Sequence, residues 1–306
     1  MRVTRLWNNI CLRCSYLREH FTGVRSTRRN EIYRRLHTAT PPRIAAAKNL
    51  PARVGVFRGL AKTWLARKWT LAYFAKHYGH EPCNLLTDYG LADFAHRAEY
   101  RESTLRQVIG EIRAGRKIYL RFSPLIDEKP ELKAALDIGW LHSFRRWDSL
   151  SEAFHLFIGS KGTYTRLHAE MEISVFIQLQ GRKRWRLFPP GDYAKLYPCF
   201  TGRTHFVTEF DAWKSSAEFP RVASAEMTEI ILEPGDVLYV PPFWWHYAEN
   251  LDDGVGVAYR CNSPSLALRS SPFLTLMRLM AHNPSAFYTL YHALFTRRNP
   301  LFEPKR

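Results

Sequence analysis

A chain of 306 residues, 46% hydrophobic and 14% aromatic, can bury a full core, which excludes a disordered chain. It has no apolar run of the roughly 18–20 residues that span a bilayer, which excludes a transmembrane helix. The net charge is +17, and the first 50 residues supply +9 of it, with 11 Lys/Arg against Glu19 and Glu31.

Five cysteines (Cys11, Cys14, Cys83, Cys199 and Cys261), odd in number and irregularly spaced, argue against a disulfide framework and for a reducing, cytoplasmic compartment. Residues 1–42 read as a basic N-terminal extension ending at Pro41-Pro42. Such a segment is a solvated tail, an arm attracted to a polyanion such as RNA, or an Arg-rich mitochondrial targeting peptide that is cleaved. Cys11-Leu-Arg-Cys14 lies within it. The spacing suits zinc, but no second pair accompanies it, so it is read as incidental.

Residues 43–264 form the predicted main domain. Val54–Phe57 reads as a strand, and Leu60–Tyr78 carries Trp64, Leu65, Trp69, Ala72 and Tyr73 at helical spacing. Leu105–Ala114 is a further helix stopped by Gly115, and Lys117–Phe122 a strand. From about 154 to 262 short strand-like runs alternate with Gly/Pro turns, the pattern of an antiparallel jelly roll. Within it Val175–Gln180 and Lys183–Phe188 flank Gly181-Arg182, which reads as a tight β-hairpin. Beyond Pro264 the pattern turns helical. Ser271-Pro272 starts one helix with Phe273, Leu276, Met277 and Met280 on a stripe. Asn283-Pro284 starts another with Phe287, Leu290, Tyr291, Leu294 and Phe295.

The chemistry concentrates in Thr-Arg-Leu-His-Ala-Glu (165–170) and, 78 positions after its histidine, Trp-Trp-His (244–246). On a strand, residues i and i+2 share a face, so His168 and Glu170 project together. His246 from a second strand completes two histidines and a carboxylate, a set that suits non-haem Fe(II) with open positions.

With its surroundings, this pattern resembles the JmjC or cupin-like Fe(II)- and 2-oxoglutarate-dependent oxygenases, particularly the branch containing the asparaginyl hydroxylase factor-inhibiting HIF. The matching pieces are Tyr119-Leu120, Thr165 with His168 and Glu170, Gly181 with Lys183, Leu187-Phe-Pro-Pro190, Leu196-Tyr-Pro198, Pro234–Tyr239 and Trp244-Trp-His246. They run in order over roughly residues 50–262.

The resemblance implies a mainly β fold with flanking helices: a double-stranded β-helix, or jelly roll, preceded by an α/β part and followed by a C-terminal helical region over 265–306. It implies hydroxylation of a protein side chain or other macromolecule, with Fe(II), 2-oxoglutarate and O2 consumed and succinate and CO2 released. Lys183 takes the position that pairs with the distal carboxylate of 2-oxoglutarate, with Thr165 and Tyr119 as hydroxyl donors. Ser174 stands where relatives often carry Asn near the metal, and Cys261, beside Asn262, where they carry a second Asn. Glu170 replaces the commoner Asp. Alternation gives Lys183 apolar same-face neighbours, Trp185 and Leu187, as expected of an internal anchor. The C-terminal helices correspond in position to a homodimer interface. Two rival readings stand beside the enzyme: a non-catalytic cupin-like module binding RNA or protein, and a cupin using another metal without 2-oxoglutarate.

Overall fold

The computed structural model describes residues 52–86, 100–149, 151–199, 205–209 and 218–280. The basic extension, Cys11, Cys14 and the predicted last helix with Phe287, Leu290, Tyr291, Leu294 and Phe295 lie outside them. The strands that precede the barrel are β1 (Gly55–Phe57), β2 (Pro82–Leu86), β3 (Tyr100–Thr104) and β4 (Tyr119–Ser123). The barrel follows as β5 (Glu152–Gly159), β6 (Tyr164–Glu170), β7 (Ile173–Gln180), β8 (Lys183–Phe188), β9 (Pro198–Cys199) and β10 (His205–Thr208). It closes with β11 (Thr228–Leu232), β12 (Val237–Val240), β13 (Trp245–Asn250) and β14 (Gly254–Cys261).

Two antiparallel six-stranded sheets result, in the orders β1-β12-β7-β14-β5-β4 and β11-β8-β13-β6-β10-β9. From β5 to β8, and again from β12 to β14, each consecutive strand crosses to the opposite sheet. This is the expected jelly roll.

The crossing overturns the hairpin expected at Gly181-Arg182. β7 and β8 do not pair; they lie in facing sheets. The turn is held from outside instead. Asp252 accepts from Arg182 N at 3.1 Å and from its guanidinium at 2.8 and 3.2 Å. Gly181 sits at φ 71° with the Asp253 carbonyl so near that a Cβ would overlap it. Sequence alternation cannot distinguish a hairpin turn from a corner between sheets, because both need the same glycine.

Five short helices, α1 (Leu71–His77), α2 (Leu105–Arg113), α3 (Leu125–Glu128), α4 (Pro130–Lys133) and α5 (Ile138–His142), lie between β1 and β5 in the chain. Their apolar side chains share one core with the outer face of the first sheet, where Phe74, Val108 and Ile109 join Phe154, Val175 and Tyr259. The single helix expected over 60–78 is broken into two 3-10 turns, Leu60–Thr63 and Leu65–Lys68, and α1. Trp64 and Trp69 stand extended at the breaks and are both buried. In one continuous helix they would point about 140° apart, so the breaks are what let both rings enter one core.

The second sheet's outer face is covered by α6 (Pro264–Ser270) and α7 (Pro272–Leu279), capped by Ser263 and Ser271. Leu274, with Phe273 and Met277 partly buried, joins Leu167, Ala169 and Trp245. The predicted stripe is therefore split, because Leu276 and Met280 face outward.

Candidate metal and anion site

A third apolar cluster fills the space between the sheets, with Tyr119, Phe157, Phe176, Trp185, Leu187 and Ala258 among its members. A cavity remains inside it. His168 and Glu170 enter from β6 and His246 from β13, directly across the ladder from His168. Their ligating atoms all lie within 4.8 Å of one another, and the two imidazole centroids are 4.1 Å apart. All three side chains are buried.

The same device orients both rings. Each histidine sets its Nδ1 against the backbone carbonyl two residues back, Arg166 O at 2.7 Å and Trp244 O at 2.9 Å. With the proton on Nδ1, Nε2 is left as the ligating atom. Burial, followed by the neighbouring imidazole, holds the His168 pKa well below its usual range, and burial lowers that of His246. Both rings therefore stay neutral, as a ligand must. Glu170 divides its two oxygens. Oε2 accepts from Arg260 Nη1 at 2.5 Å, whereas Oε1 is buried, has no hydrogen-bond partner among the described residues and lies 3.9 Å from His246 Nε2. A carboxylate oxygen kept from water and aimed at two neutral imidazoles fits a divalent cation, since a buried acceptor otherwise goes uncompensated.

The turn that delivers His246 is tied to the same strand. Phe243, at φ 61°, donates its N–H to Glu170 O at 2.7 Å. Phe122, the other non-glycine residue in left-handed conformation that borders the site, lines the cavity at φ 56°. Strained backbone of this kind gathers where side chains must be aimed.

At the other end stands Lys183, 2% exposed. Its ammonium donates to Tyr119 OH and Asn250 Oδ1, both at 2.8 Å, and lies 5.0 Å from the ring centres of Tyr119 and Phe176. Asn250 in turn donates from Nδ2 to Thr163 Oγ1 at 2.9 Å. These hydrogen-bond partners are neutral. A buried ammonium with no carboxylate hydrogen-bonded to it among the described residues suits an incoming anion.

Each predicted site residue lines this cavity or ligates at its edge: Tyr119, Thr165, His168, Ser174, Lys183 and His246 line it, and Glu170 completes the triad. Thr165 and His168 are three apart and should face opposite ways. A β-bulge between the His246 and Ala248 pairings sets Tyr247 of β13 against both Arg166 and Leu167 of β6 and turns Thr165 and His168 to the same side.

Two contributors were not foreseen. Asn250 shares a face of β13 with His246 and Ala248, so alternation alone could have found it. Arg260 is the other. The position matched to a family Asn, Cys261, faces the helix-covered core, where burial pushes its thiol up to about 12. Asn262 bonds Ser151 instead. Arg260, one residue earlier, faces the cavity and pairs across the ladder with Ser174. Part of the signal was there: Gly254, Gly256 and Ala258 alternate with Val255, Val257 and Tyr259, so Arg260 shares the face of the small residues and Cys261 that of the large ones.

The chain is 27% identical over 214 residues to lysine-specific demethylase 8 of Xenopus tropicalis, covering 69% of this chain and 48% of that protein. It is 34% identical over 138 residues to HSPB1-associated protein 1 of Homo sapiens, covering 44% and 28%. It is 30% identical over 136 residues to 2-oxoglutarate and iron-dependent oxygenase JMJD4 of Mus musculus, covering 42% and 31%. The chain thus spans about half of the first of these relatives and about a third of the others. The family model described as "Cupin-like domain" matches residues 46–262, a stretch that takes in both sheets and every side chain of the cavity, and the chain belongs to that cupin-like family.

Proposed function

We propose that this protein is an Fe(II)- and 2-oxoglutarate-dependent oxygenase that hydroxylates a macromolecular substrate, most simply a protein side chain. One observation carries the reading. A single buried cavity holds an uncompensated acceptor between two neutral imidazoles at one end and a buried ammonium with neutral partners at the other. The first end fits a divalent metal, and the second fits the far carboxylate of a dicarboxylic acid.

His168, Glu170 and His246 would hold the iron, which when bound supplies the redox chemistry that turns 2-oxoglutarate and O2 into succinate, CO2 and an oxidised substrate. The chain's own residues bind, orient and keep the site dry. Lys183, with Tyr119 and Asn250 fixing its ammonium, anchors the distal carboxylate, and the hydroxyls of Thr165 and Ser174 line the path between the ends. Phe157, Phe176 and Trp185 exclude water, which strengthens every charged contact within. The Arg166 and Trp244 carbonyls hold the imidazole protons at Nδ1.

The names of the relatives support this activity and point to protein partners: one is an iron- and 2-oxoglutarate-dependent oxygenase, another an HSPB1-associated protein. A homodimer through the C-terminal helices belongs to the same proposal, supported by exposed Leu268 on α6, Leu276 and Leu279 on α7 and Met280 at its C-cap. Among the described residues no helix is long and apolar enough to cross a membrane.

Succinate release from 2-oxoglutarate without added substrate tests the reading. We expect turnover that requires Fe(II) and O2 and is lost in His246→Ala. Absence of both succinate and metal-dependent 2-oxoglutarate binding in the unmodified protein would leave a binding module.

A further inference from the structure

Tryptophan is highly buried on average in folded proteins, and Trp64, Trp69, Trp185, Trp244 and Trp245 follow that habit. Trp147 breaks it, with 86% of its surface exposed. It lies between α5 and β5, directly after Arg145 and Arg146. The turn that carries it is fastened twice. Arg146 N donates to Ser149 Oγ and Ser149 N to Arg146 O, both at 3.0 Å. Asp148 accepts from Ser263 Oγ at 2.9 Å and from Ser265 N at 2.6 Å, at the start of α6. A large ring is thus held out to solvent on a fixed backbone, so a ligand that covers it has little ordering cost to offset.

This turn stands at the metal end of the barrel. Ser151, just beyond it, donates its N–H to Asn262 Oδ1 at 3.3 Å and accepts from Asn262 Nδ2 at 3.0 Å. Asn262 is two residues past Arg260, which holds Glu170. Phe144, just before the turn, stacks on Tyr239 at 5.1 Å, and Tyr239 pairs with Gly55 of β1. Three residues before Gly55, the Ala52 carbonyl accepts from Trp244 Nε1 at 3.0 Å, two positions from His246. Residues 1–50, which carry +9, are therefore joined to the fold at the same end of the barrel as Trp147.

Arg53 and Arg145 are exposed at this end and Arg146 is half-buried. The acids in and after the turn are engaged by the fold. Asp148 caps α6, and Glu152 accepts from Tyr259 OH at 3.3 Å with Lys133 at 3.6 Å and Arg145 at 3.4 Å. Excess positive charge attracts any polyanion. An exposed ring among arginines asks for more, because it pairs a stacking surface with phosphate-binding cations, and a nucleotide supplies the partner of each. An acidic peptide supplies the charge alone. Unstacked single-stranded bases are the usual target of such aromatic platforms on RNA.

We propose that Trp147, with Arg53, Arg145 and Arg146 at the same end of the barrel, is a docking surface for single-stranded RNA. One base stacks on the indole and the phosphates meet the arginines, while the charge of residues 1–50 draws the strand to this end. The surface lies outside the cavity and does not depend on what the cavity oxidises.

Fluorescence anisotropy of a labelled oligouridylate of about twelve nucleotides, titrated with the full chain, tests this. Trp147→Ala should weaken binding about fivefold or more, the loss of one stacked base, with the salt slope unchanged. Trp147→Phe should recover most of that loss, since it restores a ring and no charge. Arg53→Gln with Arg145→Gln should weaken binding and flatten the log–log salt slope by about 1.4, from about 0.7 per phosphate contact on a single strand. If Trp147→Ala binds the oligonucleotide like the unmodified protein, or the unmodified protein binds none, the inference falls. It falls equally if a polyglutamate peptide of the same charge binds as tightly and loses as much in Trp147→Ala, because the surface is then a dock for acidic protein.

Discussion

At the triad end of the cavity, two ligands come from one strand two residues apart and the third from the strand paired with it. At the lysine end, Tyr119, Thr163, Lys183 and Asn250 come from four segments, with Lys183 reaching partners 64 and 67 positions away. The charges differ in the same way. The triad end keeps a carboxylate already half-satisfied by Arg260, whereas the partners of Lys183 among the described residues, Tyr119 and Asn250, are neutral. One end is built around a carboxylate by strand spacing and one strand pairing; the other is built around an ammonium by packing of four segments. The two ends should therefore fail independently.

The largest effects follow from separating them. His246→Ala removes one of three ligands and should lower Mn(II) affinity by about a hundredfold or more, measured by metal titration, yet leave glutarate binding at the lysine end nearly intact. Equal loss of both would show that the two ends are coupled. Lys183→Met does the opposite: 2-oxoglutarate binding should fall about a hundredfold by calorimetry, with metal affinity unchanged within about twofold. Its melting temperature should hold or rise, because replacing a desolvated charge by an apolar side chain of similar length is neutral or stabilising.

A pH experiment sharpens the triad end. Burial, and then the Arg260 charge, push the His155 imidazole down to about 3. The folded protein therefore keeps it neutral where the unfolded chain, with a pKa of about 6.5, binds a proton. This group costs nothing above that pH. Below it, stability falls by about 1.4 kcal/mol per pH unit until about pH 3. Urea unfolding of His155→Leu between pH 7 and 4 should show that much less acid sensitivity than the unmodified protein. Parallel curves would show that His155 is not buried neutral.

The smallest effect concerns backbone room at the lysine end. A Cβ at Gly159 would overlap Asn250 Nδ2 and come within 2.8 Å of the Tyr119 ring, the two groups that hold Lys183. Gly159→Ala should cost about 1–3 kcal/mol by overpacking and weaken 2-oxoglutarate binding with it. Gly110 in α2 meets nothing within 4 Å, so Gly110→Ala should stabilise by about 0.5–1 kcal/mol without touching the site. Denaturation midpoints of the two variants that moved together would contradict this account.

What was legible in the sequence divides along the same line. His168 and Glu170 could be paired because period-2 spacing is a local property, and the inward face of Lys183, Trp185 and Leu187 followed from the same alternation. The jelly roll was legible from the rhythm of short strands and Gly/Pro turns. Arg260 was missed because every residue of β14 is buried, and a strand covered on both faces loses the polar alternation that reveals its facing.

By itself, then, the sequence determined the ligand types, the strand character around them and the cationic anchor. These depend on residues a few positions apart. Only the tertiary structure decided that β7 and β8 face each other across the barrel rather than pair, since a turn glycine serves either connection. The bulge in β6 that brings Thr165 round to the side of His168 was likewise decided by pairing with β13. The choice of Arg260 over Cys261 depended on which of two apolar environments each face of β14 would meet, and that is fixed only when the helices cover one side and the second sheet closes over the other.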